Sequence, residues 1–157
     1  MAYFVILRGP LGVGKTTVSR VLAKAIDATC VSIDRILDEH GLWKEGRLSE
    51  FLGANEIAVP LARRSLANGT PVVFDGNFYW KTQIEDLIDR LEARPFVFTL
   101  KAPLAVCIRR DSRRDPPHGA EAARAVYAKT TKFERGIGID ATRPVDAVVR
   151  EIRAHLP

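Results

Sequence analysis

The sequence is poor in the features that would place it outside a reducing, aqueous compartment. It has only two cysteines, Cys30 and Cys107, and both stand in apolar surroundings without a partner motif. A pair of reduced core thiols is therefore expected, rather than a disulfide or a metal site. No apolar run approaches the ~20 residues that cross a bilayer, and no basic leader or cleavage site precedes the first apolar segment. These absences predict a cytoplasmic protein that does not bind a membrane.

The chain also lacks an internal repeat, a low-complexity tract and a linker that would divide it. Its 157 residues are therefore predicted to form one domain, residues 1–157, long enough to bury a core without disulfides. With 46% apolar and 27% charged residues, the composition is ordinary for a globular chain. The function therefore has to be sought in local motifs.

The most informative stretch is a glycine-rich loop at residues 9–16, in which a glycine and four further residues precede Gly-Lys-Thr. It follows a short apolar run at residues 3–7, typical of a buried strand, and precedes residues 17–26, whose apolar positions recur at helical spacing. Strand, glycine loop and helix are the order expected of a phosphate-binding loop. The alternative is a glycine-rich turn that ends in Lys-Thr by chance, and the two matching flanks count against it.

The chemistry of a triphosphate explains the composition of this loop. Glycines let the backbone curl tightly enough to turn several N–H groups toward phosphate oxygens. A helix that begins at Lys15 adds its free N-terminal N–H groups and the positive end of its dipole. Lys15 is predicted to reach the β- and γ-phosphates, and the Thr16 hydroxyl is predicted to ligate Mg²⁺.

An acid follows the second predicted strand, which covers residues 28–33. Ligands of open parallel sheets bind beyond the carboxyl ends of the strands, so Asp34 is expected to face the same crevice as the glycine loop. We interpret it as a general base that accepts the proton of the attacking hydroxyl, with a helix cap as the alternative. Arg35 and Asp38 are candidates for holding the acceptor, with solvated helix positions as the alternative.

A second acid ends the strand predicted at residues 70–75. An apolar strand that terminates in a carboxylate is typical of a magnesium-binding strand, so Asp75 is predicted to act on Mg²⁺ directly or through water. Gly76 then allows close approach of a ligand, and the Asn77 amide is predicted to bind substrate or a phosphate oxygen. A turn in which Asp75 and Asn77 serve as caps is the alternative.

The segment between these strands, about residues 35–68, is predicted to select the acceptor. Its first part, residues 40–47, has two glycines and mixed polarity and resembles a loop. A helical pattern then runs from residue 48 to residue 68, interrupted by Pro60. Trp43 is a candidate for stacking on a ring-shaped acceptor, although such a side chain more often only packs.

An arginine-rich segment at about residues 109–119 is predicted to form a lid. Arginines over a phosphate loop stabilise the charge of a transferred phosphoryl group, and a mobile segment excludes water. Arg110 and Arg114 are favoured among its four arginines. The alternative is a solvated basic turn whose charge is balanced by Asp111 and Asp115.

Predicted strands alternate with helices to the end of the chain, with the last strand at residues 137–140 and the last helix at residues 145–156. This alternation indicates a parallel three-layer α/β fold. In its glycine loop, its strand-end acids and this alternation, the chain resembles the small kinases of the P-loop superfamily over nearly its whole length. That group includes shikimate and gluconate kinases, chloramphenicol phosphotransferase, adenylylsulfate kinase and polynucleotide kinases. The resemblance implies a five-stranded parallel sheet in the order 2-3-1-4-5.

The resemblance also implies roles for particular residues. Asp34 occupies the place of the acid that binds or deprotonates the acceptor, and the segment at residues 103–111 is similar to the run leading into a lid whose arginines contact ATP. Residues 139–144 resemble the loop that cradles adenine, which puts Thr142, Arg143 and Pro144 against the base. The full nucleotide site is predicted to comprise Gly9, Gly12, Val13, Gly14, Lys15, Thr16, Thr17, Arg110 and Arg143. The predicted substrate site comprises Asp34, Arg35, Asp75 and Asn77, the metal site Thr16 and Asp75, and the catalytic set Lys15, Asp34, Arg110 and Arg114.

These features predict an ATP- and Mg²⁺-dependent kinase, monomeric or homodimeric, that phosphorylates a hydroxyl of a small molecule. No residues identify the acceptor. A 5′-hydroxyl polynucleotide kinase is the first alternative, since the net charge is +5. A nucleotide alone accounts for this charge, and no groove with interleaved aromatics is evident, so nucleic acid is not favoured. A regulatory ATPase that acts with a protein partner is the second alternative. The absence of an Asn-Lys-x-Asp motif argues against a GTPase.

Overall fold

A parallel β-sheet forms the centre of the computed structural model, which describes residues 2–157. Within these residues the strands are β1 (Tyr3–Arg8), β2 (Thr29–Ser32), β3 (Val72–Gly76), β4 (Arg94–Lys101) and β5 (Ile137–Asp140). Their order is β2-β3-β1-β4-β5, and every neighbouring pair is parallel. The strand number, direction and order predicted above are confirmed.

Seven helices in residues 2–157 cover the two faces of this sheet. They are α1 (Lys15–Ala25), α2 (Ile33–Glu39), α3 (Leu48–Ala67), α4 (Lys81–Arg90), α5 (Leu104–Ser112), α6 (Ala120–Thr130) and α7 (Val145–Arg153). None of them is long and apolar enough to span a bilayer.

Two apolar layers follow from the alternation of side chains along β1. Phe4 and Ile6 point to one face, where they pack with residues of α2, α3 and α4. Val5 and Leu7 point to the other face, where they pack with residues of α1 and α7. The strand is buried on both faces and is therefore apolar at consecutive positions. Because all strands run in the same direction, their carboxyl ends meet at one edge.

The structure corrects two expectations. The helix predicted at residues 48–68 is not interrupted, since α3 runs through Pro60 from Leu48 to Ala67. Pro60 is exposed, and α3 continues through it although the proline donates no N–H to the Glu56 carbonyl and its ring crowds that carbonyl. Cys107 is buried as expected, but Cys30 is exposed, because β2 is an edge strand of the sheet.

A wholly buried arginine, Arg8, ends β1 directly before the glycine loop. Its guanidinium donates to the Thr99 hydroxyl at 3.2 Å and to the carbonyl oxygens of Phe78 at 3.3 Å, Thr130 at 2.6 Å and Phe133 at 3.2 Å. It also stacks over the Phe133 ring, 4.2 Å from the centroid. Burial lowers the pKa of Arg8 to about 10. This side chain therefore ties the end of β1 to β4, to the turn after β3 and to the C-terminal end of α6.

Candidate active site

One cavity of about 1610 Å³ opens at the edge of the sheet where the strands end. It runs from the β2–α2 side to the loop between β5 and α7, and the glycine loop lies between them. Most of the residues predicted for the nucleotide, metal, substrate and catalytic sites line its wall: Gly12, Val13, Gly14, Lys15, Thr16, Thr17, Asp34, Arg35, Asp75, Asn77, Arg110, Arg114 and Arg143.

Gly9 is the one predicted residue that does not line this cavity. It is buried behind the loop, where a Cβ atom would lie 2.9 Å from Val13 Cγ1 and 3.0 Å from the Leu100 carbonyl oxygen. Its small size therefore permits close packing of the loop against β4.

The glycine loop is held against α5. A Cβ atom on Gly12 would lie 2.2 Å from the Cys107 carbonyl oxygen, and Gly12 has a φ of +83°. Val13 is buried among core residues, and its N–H donates to the Pro10 carbonyl at 3.2 Å. Gly14, with a φ of +104°, occupies the N-cap of α1, which has no side-chain cap. The first N–H groups of α1 are therefore left for an anion.

Lys15 is the cation at the centre of this wall. Its side chain is only 8% exposed, and within residues 2–157 its Nζ makes a single hydrogen bond, to the Pro10 carbonyl at 3.2 Å. Burial lowers the pKa of Lys15, while the charges of Asp34 and Asp75 oppose this shift. An ammonium carries three N–H donors, so two are left for a ligand. A phosphate oxygen fits this requirement.

Asp34 lies in the first turn of α2 and reaches toward β3. The N-cap of α2 is Ser32, whose Oγ accepts from Arg35 N at 3.3 Å, so the capping alternative for Asp34 is wrong. Asp34 Oδ1 instead accepts from the Asn77 backbone N–H at 3.2 Å. Burial raises the pKa of Asp34, while the charge of Lys15 and the Asn77 N–H oppose this shift.

Asp75 is 4% exposed and is oriented by Ser19, which has no local sequence signal for a role in a site. Its Oδ2 accepts a hydrogen bond of 2.6 Å from the Ser19 hydroxyl of α1. The Thr16 hydroxyl lies one turn earlier on α1 and lines the same cavity. Within residues 2–157, no group of three or more His, Cys, Asp or Glu side chains could hold a metal. A hydroxyl and one carboxylate fit Mg²⁺, which is bound through few protein oxygens together with substrate phosphates and water.

An aromatic cluster adjoins Asn77. The Asn77 Nδ2 donates to the Tyr79 hydroxyl at 3.2 Å, and the rings of Phe51 and Tyr79 meet edge to face with centroids 5.4 Å apart. Trp43, which lines the cavity, meets both rings at 5.6 and 6.0 Å. Burial and the charge of Asp34 raise the pKa of Tyr79 to about 12. Neither Phe51 nor Tyr79 was predicted to lie near the site, because the sequence does not show that the start of α3 and the segment after β3 meet at Trp43.

The loop that carries Trp43 is held by Glu50. The Glu50 Oε1 accepts from the backbone N–H groups of Lys44 at 3.1 Å, Glu45 at 3.0 Å and Gly46 at 3.0 Å. The Trp80 indole N–H donates to the Gly46 carbonyl at 3.2 Å. Trp43 is therefore presented by a loop with its own internal hydrogen bonds.

The lid arginines divide into two pairs. Arg110 donates to the Val13 carbonyl at 2.9 Å and to the Thr142 carbonyl at 3.4 Å, and Arg114 also lines the cavity. Arg109 and Arg113 are exposed and do not line it. Arg110 therefore joins the glycine loop to the loop between β5 and α7.

Asp111 is buried beneath the lid, which contradicts, for this residue, the alternative in which it balances the charge of a solvated turn. It is 1% exposed and accepts from the His118 N–H at 3.2 Å, His118 Nδ1 at 3.0 Å and the Gly119 N–H at 2.8 Å. Desolvation acts to raise the pKa of Asp111, but the hydrogen bonds from Gly119 and His118 outweigh it and lower the pKa. Asp115, the other acid, is exposed.

Two predicted arginines make contacts of their own at the ends of the cavity. Arg143 donates from Nε to the Asp140 carbonyl at 3.0 Å and pairs with Glu151. Arg35 is exposed and forms an ion pair of 2.7 Å with Glu39 one helical turn later. Both line the cavity, and both are partly neutralised within the protein.

Comparison with solved structures confirms the fold. A sugar kinase from Janibacter sp. has 16% identity and a TM-score of 0.81, with 99% of this chain and 95% of that chain covered. A gluconokinase from Sinorhizobium meliloti has 16% identity and a TM-score of 0.72, with 96% and 89% covered. A shikimate kinase from Aquifex aeolicus has 15% identity and a TM-score of 0.64, with 96% and 94% covered. At such low identities the likeness concerns the fold alone.

Comparison with curated protein sequences finds no significant match. A family model described as an AAA domain matches residues 4–135, a stretch that contains the glycine loop, the strand-end acids and the lid. Because this match covers most of the chain, the protein belongs to the AAA domain family of P-loop proteins.

Proposed function

We propose that this protein is an ATP- and Mg²⁺-dependent kinase that transfers the γ-phosphoryl group to a hydroxyl of a small molecule. One observation carries the proposal. Asp34, at the end of β2, faces the same cavity as Lys15 of the glycine loop, and their charges lie close enough to shift each other's pKa. A phosphate held by Lys15 and a hydroxyl held by Asp34 would therefore be neighbours.

The nucleotide would be held by groups that lack partners among residues 2–157. The uncapped N-terminus of α1 and the two free donors of Lys15 suit the β- and γ-phosphates. Thr16 and Asp75 would hold Mg²⁺, which when bound neutralises phosphate charge. Ser19 keeps the Asp75 carboxylate in place through its 2.6 Å hydrogen bond.

Asp34 would act on the acceptor. Its carboxylate accepts the proton of the attacking hydroxyl, whose oxygen forms a bond to the γ-phosphorus. The bond from that phosphorus to the β–γ bridging oxygen breaks, and ADP leaves. A carboxylate whose pKa is raised by burial is a stronger base, and the Asn77 N–H fixes its orientation. Arg110 and Arg114 line the same cavity, and the pKa of Lys15 is lowered by burial and also by the charge of Arg114. They suit the charge that develops on the phosphoryl oxygens.

The test is a comparison of two variants with γ-labelled ATP over a panel of hydroxylated small molecules. Asp34→Asn keeps the shape of the side chain but cannot accept a proton, so transfer is expected to fall by about 10²- to 10⁴-fold while ATP binding is retained. Lys15→Ala is expected to weaken ATP binding and transfer together, because it removes the cation of the phosphate site.

Asp89→Asn serves as the matched control, because Asp89 is exposed on α4 and does not line the cavity. Full transfer by Asp34→Asn would refute the general-base role. Unchanged nucleotide binding by Lys15→Ala would refute the assignment of the phosphate site.

A further inference from the structure

The two ends of the cavity differ in charge. The end near the lid carries Arg110, Arg114 and Arg143. The end near α2 carries three carboxylates, Asp34, Asp38 and Glu39, against two guanidinium groups, Arg20 and Arg35. Arg35 is already bound to Glu39 at 2.7 Å, whereas Asp38 forms no ion pair with any of residues 2–157. An acceptor that carries a carboxylate or a phosphate would meet like charge here.

Helix α3, which covers the α2 end, adds no cation to the wall. Among the residues of α3, only Leu61 lines the cavity. Its two arginines lie elsewhere, and Arg63 donates to the Arg90 carbonyl at 2.8 Å on the α4 side. Lys129 of α6 lies over the Tyr79 ring, 5.3 Å from its centroid, but it is not among the residues that line the cavity. The lining of the α2 end is therefore net acidic.

Asn77 adds an unused acceptor to this end. Its side chain is 6% exposed and lines the cavity, and its Oδ1 is buried without a hydrogen-bond partner in residues 2–157. Its Nδ2 is committed to the Tyr79 hydroxyl. An unpaired buried amide oxygen is unfavourable unless a ligand supplies a donor. With Asp34 beside it, the site suits a ligand with at least two neighbouring O–H or N–H groups.

Trp43 supplies a flat apolar surface at the same end. It is 37% exposed and lines the cavity, and its ring makes edge-to-face contacts with the rings of Phe51 and Tyr79. The hydrogen bonds of Glu50 hold its loop without a ligand. A prebuilt aromatic face of this kind suits the C–H face of a saturated ring or a ring cation.

We infer that the acceptor is a ring-shaped polyol without a carboxylate or phosphate group, either uncharged or amine-bearing, and that Asp38, Trp43 and Asn77 select it. This inference rests on the proposed kinase function. Asp34 and Asn77 accept hydrogen bonds from adjacent donor groups of the polyol, and Trp43 contacts its ring. Asp38 repels acidic analogues and attracts an amine.

The test uses two defined pools of hydroxylated compounds with γ-labelled ATP and Mg²⁺. The first pool contains sugars, amino sugars, cyclitols, aminocyclitols and nucleosides. The second contains the matching sugar acids, cyclitol carboxylates and sugar phosphates. Binding of a fluorescent ATP analogue is measured in parallel, so that failure to bind nucleotide is separated from failure to accept a given pool.

Label is expected to move only into products of the first pool. Equal transfer into both pools, or transfer into the second alone, would overturn the inference and leave the kinase proposal intact. Nucleotide binding without transfer into either pool would overturn the kinase proposal and the inference with it.

Variants of Asp38 and Trp43 test the selecting residues. Asp38→Lys is expected to raise the ratio of kcat/KM for acidic compounds to kcat/KM for the matching first-pool compounds by about tenfold or more, since it reverses a charge on the wall, while the KM for ATP stays within about twofold. Asp89→Lys on the exposed face of α4 is the matched control and is expected to change neither. Trp43→Ala is expected to raise the KM for the acceptor, and Trp43→Phe to restore most of it. Asp38→Lys behaving as Asp89→Lys, or Trp43→Phe failing to exceed Trp43→Ala, would contradict the assignment.

Discussion

Replacement of Asp111 by Asn tests whether one buried carboxylate holds the lid. In the structure, Oδ1 accepts from two groups of His118 and Oδ2 accepts from the Gly119 N–H at 2.8 Å. Asn keeps one of these oxygens and puts an NH₂ group in place of the other. If the oxygen stays with His118, a donor faces the Gly119 N–H and one hydrogen bond to a charged group is lost.

The expected loss of unfolding free energy is about 2–4 kcal/mol. Hydrogen bonds to charged groups contribute about 1.5–3 kcal/mol each, and the bonds that remain become weaker because the charge is gone. The assay is urea unfolding followed by circular dichroism at pH 7. Asp115→Asn, on the same lid but exposed, is the matched control and should stay within about 0.5 kcal/mol of the parent.

The sign of the pH dependence provides a second readout. Because the pKa of Asp111 is lowered in the folded protein, its contribution is fully present above the unfolded value of about 3.9 and is lost as the pH falls through the folded value. The difference between the parent and Asp111→Asn should therefore shrink below about pH 4. Equal stability of Asp111→Asn and Asp115→Asn at pH 7, or a difference that persists in acid, would refute this account of the lid.

Two further expectations concern the base and the loop. Burial raises the pKa of Asp34, although the charge of Lys15 opposes the shift. The acid limb of the pH profile of kcat/KM should therefore lie above the ordinary Asp pKa of about 3.9, with activity lost as the pH falls and the carboxylate is protonated. An acid limb at or below that pKa would contradict the role of Asp34 as the base. Gly12→Ala places a Cβ atom 2.2 Å from the Cys107 carbonyl, so thermal unfolding should show a larger loss than the about 1–2 kcal/mol expected for Gly69→Ala. Gly69 has a φ of +76° and open space around its Cβ position, so equal losses in the two variants would show that the contact with α5 is unimportant.

Local patterns in the sequence were sufficient to predict the strands of the sheet and the acids at their ends, but not the order of the strands. Short apolar runs followed by Asp34 and Asp75 are visible in the sequence, and parallel strands put such residues at one edge. The glycine loop was recognisable because its spacing reflects a backbone requirement, which Gly12 and Gly14 meet with positive φ. The strand order came from the resemblance to small P-loop kinases, since nothing in a single sequence encodes which strands pair.

The contacts that orient the candidate site could not be predicted, because they join residues distant in the sequence. Ser19 and Asp75 are 56 positions apart, and Asp34 meets the Asn77 N–H across 43. A helix cap was the alternative role considered for Asp34, and only the geometry shows that Ser32 caps α2 instead. Pro60 was misleading, since a proline at an exposed helix position can be tolerated where packing on the opposite face stabilises the helix.

Arg8 has a consequence for how the lid can close. Its guanidinium carries a charge in the interior, and its hydrogen bonds to Thr130 and Phe133 fix the C-terminal end of α6 to the strand that leads into the glycine loop. Separation of these segments would leave the buried Arg8 guanidinium without these hydrogen bonds, which is strongly unfavourable. The opposite end of α6 begins after Gly119, which has a φ of +99° and no atom within 4 Å of its Cβ position. Closure over a nucleotide is therefore expected to leave the C-terminal end of α6 in place. Rotation at Gly119 is expected only on its carbonyl side, because Asp111 binds its N–H.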